Sequence, residues 1–146
     1  MTLISSRKAK GRKLQQIVRD VLRTLYAPYG TQDGDIESVP LGVTGVDVVL
    51  SPLAKSILHV FVECKACESI NLSTEFQEHL NKYSNKEGLK LLVHSRNHIE
   101  PVVMLTLKDF SKLLESHLAA RCRRVGTKER SIDPSLTPLL TDTTQN

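Results

Sequence analysis

The run ILHVFVECK at residues 57 to 65 constrains this chain more than any other stretch. Its β-branched and aromatic residues read as a buried strand, yet it closes on Glu63 and Lys65, opposite charges at i and i+2. Side chains at that spacing share one face of a strand. Glu63 and Lys65 therefore point together, with Phe61 deeper on the same side. Val60, Val62 and Cys64 face the other layer, where the two valines are expected to pack against a helix. Such a strand ends either in water or at an active site.

The flanking segments supply the rest of a fold. Leu14, Ile17, Val18, Val21, Leu22 and Leu25 recur at three- and four-residue intervals, the apolar stripe of an amphipathic helix that Pro28 and Gly30 stop. A polar loop, TQDGD, precedes a short extended segment at 36–41. A glycine-flanked turn, GVTG, then leads into the β-rich run VDVVLS at 46–51, closed by Pro52. The short SPLAKS link to residue 57 predicts an antiparallel pair. A helix is expected over 72–83, starting near Ser73 and Gln77, then strands at 89–95 and 101–107 and a helix over 108–122. The order of helix, three strands, helix, two strands, helix predicts an α/β fold: a mixed central sheet of about five strands flanked by helices.

At 146 residues the chain is expected to form one domain, residues 1–122, and a basic then polar tail, 123–146, rich in Thr, Ser and Pro. The formal net charge of +4 is concentrated in two blocks. The first, residues 7–23, contains Arg7, Lys8, Lys10, Arg12, Lys13, Arg19 and Arg23 against the lone Asp20; the second contains Arg121, Arg123, Arg124, Lys128 and Arg130. Such blocks suit a polyanion, since each cation that neutralises a phosphate releases a counterion; a solvated helix face is the plain alternative. Aromatic residues make up only 4% and tryptophan is absent, which argues against base stacking as the main binding device. No stretch approaches the ~20 apolar residues of a membrane span. The N-terminus lacks the apolar run of a signal peptide, so no membrane partner and a cytoplasmic location are expected.

Cys64, Cys67 and Cys122 are too few and odd in number for a disulfide scaffold, so reduced thiols are expected. Cys64 and Cys67 form a C-x-x-C, but a zinc site needs about two more ligands. No second pair is present, and the five histidines show no metal-binding spacing. His94 and His98 are expected to be structural or solvent-facing.

The chemistry gathers at the strand ends. If the two central strands pair as a hairpin, Asp47 sits beside Glu63. Converging carboxylates repel unless a cation lies between them, and an all-oxygen site completed by water and a backbone carbonyl suits Mg²⁺ or Mn²⁺. The Cys64 carbonyl is the backbone candidate. Lys65, on the same face, could orient or deprotonate a water, or stabilise charge developing on a phosphate.

Asp47, then fifteen residues, then Glu63, one residue and Lys65, on strands between an N-terminal and a following helix, resembles the PD-(D/E)xK nuclease superfamily with its restriction-endonuclease-like fold. The RKAKGRKLQQ entry, with GVD and ECK downstream, is further similar to small phage-encoded endonucleases and archaeal-type Holliday junction resolvases, over about residues 5 to 118. The resemblance implies a Mg²⁺-dependent endodeoxyribonuclease with Mn²⁺ as substitute. Its site would be Asp47, Glu63 and Lys65, its partner DNA held by Arg7, Lys8, Lys10, Arg12 and Lys13. It further implies a homodimer if the enzyme cuts junctions symmetrically, and the host cytoplasm if the chain is phage-encoded. The family's proline before the aspartate is Val46 here. Many relatives carry a glutamate on the first helix, where this chain offers Gln15 and Gln16; an amide can hold a water at the metal but adds no charge. Asp35 or Glu37 could supply the missing carboxylate, and Gln77 matches a glutamine often found near the site. The other class of function is a catalytically weak or inactive DNA-binding accessory protein on the same fold.

Overall fold

The computed structural model describes residues 2–40 and 43–124, with side chains from residue 6 onward. The chain divides into two compact units, residues 1–109 and 110–146. The first holds the sheet; helix α4 (Leu107–Arg124) lies, apart from its first turn, in the second. Residues 125–146, most of the expected tail, fall outside the described residues. Among the described residues no helix is long and apolar enough to cross a membrane.

Helix α1 spans Thr2–Tyr26, so the basic block lies within the helix and not ahead of it. Leu14, Val18, Leu22 and Tyr26 recur every fourth residue and turn one side to the core. After a short 3₁₀ turn at Ala27–Tyr29, Gly30 takes a left-handed φ of 90° and ends the segment.

The sheet is five-stranded and mixed, in the order β1 (Ile36–Ser38), β2 (Val48–Leu50), β3 (Val60–Ala66), β4 (Leu89–Ser95), β5 (Val102–Met104). The expected α/β class is therefore present. The pairs β1–β2, β2–β3 and β4–β5 run antiparallel, and β3–β4 runs parallel. The parallel pair needs a crossover, which helix α3 (Leu72–Lys82) provides.

Two local expectations change. The SPLAKS link is not a tight hairpin: Pro52–Ile57 form a short helix, α2, because the Ser51 side chain accepts a hydrogen bond from the Ala54 N–H and Pro52 occupies the first turn. Consequently β3 starts at Val60 and not at Ile57. Helix α3 is capped by Asn71, whose side chain accepts from Thr74 N–H, and not from Ser73.

The alternation along β3 puts two different layers against it. Val60 and Val62, with Val48, Leu50 and Ile36 of the neighbouring strands, pack on Leu14 and Leu22 of α1, and Cys64 and Ala66 continue that face. On the other face Phe61 stacks on Tyr83 at 4.6 Å between ring centroids, and the His79 ring of α3 lies 5.2 Å from the same tyrosine. Gly88 admits the chain to β4: a Cβ there would stand 2.7 Å from the His59 carbonyl oxygen and 2.9 Å from the Phe61 ring.

Candidate active site

The register that pairs Val48 with Val62 sets Asp47 across from Glu63, and the Asp47 N–H donates to the Val62 carbonyl at 2.9 Å. Asp47 thus lies at the entry to β2 and is half-buried. One carboxylate oxygen, Oδ2, accepts from the Cys64 backbone N–H at 2.6 Å; the other, Oδ1, accepts from Gln15 Nε2 of α1, also at 2.6 Å. Burial nevertheless pushes the Asp47 pKa up, reinforced by the negative charge of Glu63; the bonds from Cys64 and Gln15 and the charge of Lys65 offset this only in part. This carboxylate sits where its charge is poorly compensated.

Lys65 is in the reverse condition. Its Nζ lies 3.2 Å from Glu63 Oε1 and 3.1 Å from Glu75 Oε2 of α3. Burial works against the ammonium, but the hydrogen bond to Glu75 and the charge of Glu63 outweigh it and hold the pKa above its ordinary value. At neutral pH Lys65 is a cation, fit to stabilise negative charge and unfit to abstract a proton.

Glu75, which no motif in the sequence marked, is the second carboxylate that holds Lys65. Its signal was helical spacing: Glu75, His79 and Tyr83 follow one another every fourth residue, and the last two are buried under the sheet. Gln77, the residue singled out on this helix, is exposed and donates to Asn81 Oδ1 at 3.0 Å; it is turned away from that buried row.

Of the two first-helix glutamines, Gln15 reaches the site. Gln16, one residue on, is rotated by about 100° around the helix and is only half-buried. Gln15 is 6% exposed, and with its Nε2 given to Asp47 its buried Oε1 is left without a hydrogen-bond partner. Unpaired buried acceptors are uncommon and call for a donor. Asp35 and Glu37 are engaged elsewhere. Asp35 Oδ2 accepts from Gln32 N–H at 2.8 Å in a local cap. Glu37 stands across from Val49 and binds Arg23 at 2.9 Å.

Among the described residues no group of three or more His, Cys, Asp or Glu side chains is placed to hold a metal ion. What the strand ends offer is a mixed oxygen set: the Asp47 and Glu63 carboxylates, the unpartnered Gln15 Oε1, and the Cys64 carbonyl, which leaves β3 on the same side as the Cys64 N–H that binds Asp47. Few carboxylates with neutral oxygens and water fit a hard, hydrated cation such as Mg²⁺. The thiols do not join it. Cys64, Cys67 and Cys122 are free, and burial drives the Cys64 thiol far above its ordinary pKa, with Asp47 and Glu63 adding to the shift. His94 is buried with Nε2 2.9 Å from the Cys67 carbonyl oxygen, a structural role; His98 is exposed in a turn with φ 60°.

Arg7, Lys8, Lys10, Arg12 and Lys13 of α1 are exposed and part into two groups, whereas Arg19 and Arg23 are half-buried. Arg7, Lys10 and Lys13 line a cleft with the carboxyl ends of β3 and β4, whereas Lys8 and Arg12 do not. In comparisons with protein-family models, curated proteins and solved structures, no match to this chain was found.

Proposed function

We propose that this chain is a divalent-metal-dependent endodeoxyribonuclease, acting in the manner of the PD-(D/E)xK nucleases that its sequence resembles. The observation that carries the reading is the meeting of Asp47, Glu63 and Lys65 at the ends of β2 and β3, with the Asp47 carboxylate kept in a poorly compensated position. Asp47, Glu63 and the Cys64 carbonyl would hold Mg²⁺ or Mn²⁺, with Gln15 Oε1 accepting from a water beside them. Bound there, the ion supplies Lewis-acid polarisation of the phosphodiester and acidifies water. Lys65, fixed by Glu75, presents its ammonium to the phosphoryl oxygens as charge builds on them. The exposed cations of α1 attract the DNA backbone. In a homodimer two such sites would cut two strands symmetrically.

A second reading, a DNA-binding accessory protein without catalysis, draws on one observation: Glu63 is already paired with Lys65, and the first helix brings an amide, not a carboxylate, to Asp47. Nicking of supercoiled plasmid separates the two. The nuclease reading expects nicking with Mg²⁺ or Mn²⁺ that stops in EDTA and in Glu63→Ala. It fails if the protein binds DNA and leaves it uncut with both metals, and Glu63→Ala binds equally well.

A further inference from the structure

The cleft beside α1 has a composition that the metal site does not explain. It encloses about 650 Å³, and its walls come from residues 7–17 of α1 and from the ends of β3 and β4 with the chain that follows them. Arg7, Lys10, Lys13 and Arg96 form a cationic rim, while Leu14, Ile17, Ala66 and Pro101 supply an apolar floor. Glu68 is the acidic lining residue, and one of its oxygens is already used by the Asn97 N–H at 2.9 Å. The far rim is a built feature. Asn97 Oδ1 accepts from Lys10 Nζ at 2.9 Å across the cleft, and the Arg96–Ile99 turn closes with Ile99 N–H donating to Arg96 O at 3.3 Å. The carboxyl ends of parallel strands are where open α/β sheets place their ligands. Leu14 precedes Gln15, whose amide binds Asp47, so the cleft adjoins the Asp47 carboxylate from the α1 side.

We propose that this cleft takes an unpaired stretch of DNA and leads it to the metal site, so that the substrate is DNA with a single-stranded portion next to the cut. The inference rests on the nuclease reading for its nucleic-acid substrate. Stacked duplex presents phosphates and sugars but hides its base faces, and it is too broad to enter a cleft of this volume. An unpaired strand places phosphates on Arg7, Lys10, Lys13 and Arg96 and lays the faces of its bases and sugars on the apolar floor. No aromatic residue lines the cleft, so attraction there is apolar contact plus phosphate neutralisation and favours no particular base.

The test is fluorescence anisotropy on the full chain in EDTA, where no cutting occurs, with labelled dT12, a blunt 12-base-pair duplex, and that duplex carrying an unpaired tail. The expected result is binding of dT12 and of the tailed duplex at least about tenfold tighter than of the blunt one. Four phosphate contacts predict a slope of log K against log salt near about −3 for dT12. Arg96→Glu and Lys13→Glu, both on exposed positions, should each weaken dT12 about tenfold at unchanged Tm, and Arg96→Glu should leave the blunt duplex within about threefold. Equal affinity for blunt duplex and dT12, or unchanged dT12 affinity in both folded variants, overturns the inference. If dT12 binding and its loss in the variants are seen but no DNA is cut with Mg²⁺ or Mn²⁺, the nuclease reading fails while the cleft's ligand stands. Cutting of blunt duplex without single-strand preference has the opposite meaning.

Discussion

Residues 60, 62, 64 and 66 of β3 face α1, and residues 61, 63 and 65 face α3. The first set is apolar and continuous with the core, and Val62 is fully buried. The second begins as a stack of Phe61 and Tyr83, passes under His79, and ends in Glu63, Lys65 and Glu75. One strand thus carries stability on one side and charge on the other. Substitutions on the α1 face should cost fold, and those at Glu63 and Lys65 should cost function.

Glu63→Gln should give the largest effect, a fall in plasmid nicking of about a thousandfold or more, since it removes a negative metal ligand while keeping the shape. Its thermal unfolding should shift by less than about 1 kcal/mol. A variant that loses stability in proportion to activity would break the separation of the faces. Lys65→Met keeps the apolar stem and deletes the charge; nicking should drop about a hundredfold or more, by loss of transition-state stabilisation. Because Lys65 is held protonated, the wild-type rate should show no loss of activity upon acidification from pH 8 to 7 attributable to this lysine. An inflection near neutrality that disappears in Lys65→Met would make it a base instead.

Val62→Ala, on the opposite face, should cost about 2 kcal/mol in chemical denaturation, while the folded fraction nicks DNA at the wild-type rate. Impaired catalysis in that folded fraction would mean that the apolar face also positions the carboxylates. The smallest effect on stability concerns Asp47. Its folded pKa lies above the ordinary carboxylate value, so its contribution favours folding most below about pH 4 and is lost as the pH rises through the elevated value. Asp47→Asn removes that loss. In EDTA the variant should be more stable than wild type at pH 7, with the difference shrinking toward pH 4, and should be inactive with metal. No gain at pH 7 would show that the bonds from Cys64 and Gln15 fully compensate the charge.

His79 sharpens the comparison from the α3 side. It is 3% exposed, its Nε2 is 3.0 Å from the Phe61 carbonyl oxygen, and burial lowers its pKa despite that bond. A neutral buried histidine supports the fold above its unfolded pKa of about 6.5 and stops doing so as the pH falls below it. His79→Gln should flatten that acid side of the stability profile, whatever happens at the metal site.

Much of this organisation was readable because it depends on period. The two-residue alternation of VFVECK assigned Glu63 and Lys65 to one face and the valines to the other, and the three- and four-residue spacing of α1 assigned Leu14 and Leu22 to the core. Local chemistry was also present but overlooked at SPLAKS, where Ser51 followed by Pro52 is a helix start. Glu75 and Asn71 lay within reach of the same kind of reasoning, since one continues a buried row and the other is a cap.

The sequence by itself determined which residues share a face, because a side chain's direction along a helix or strand is set by backbone geometry alone. It determined the α/β class for the same reason. Only the tertiary structure decided which faces meet. That Gln15 and not Gln16 touches Asp47, that Glu75 anchors Lys65, and that Lys10 reaches Asn97 depend on how α1, α3 and the β4–β5 turn dock on the sheet. Those contacts join residues up to 87 positions apart, and long-range docking is governed by the packing of whole surfaces, which no local period encodes.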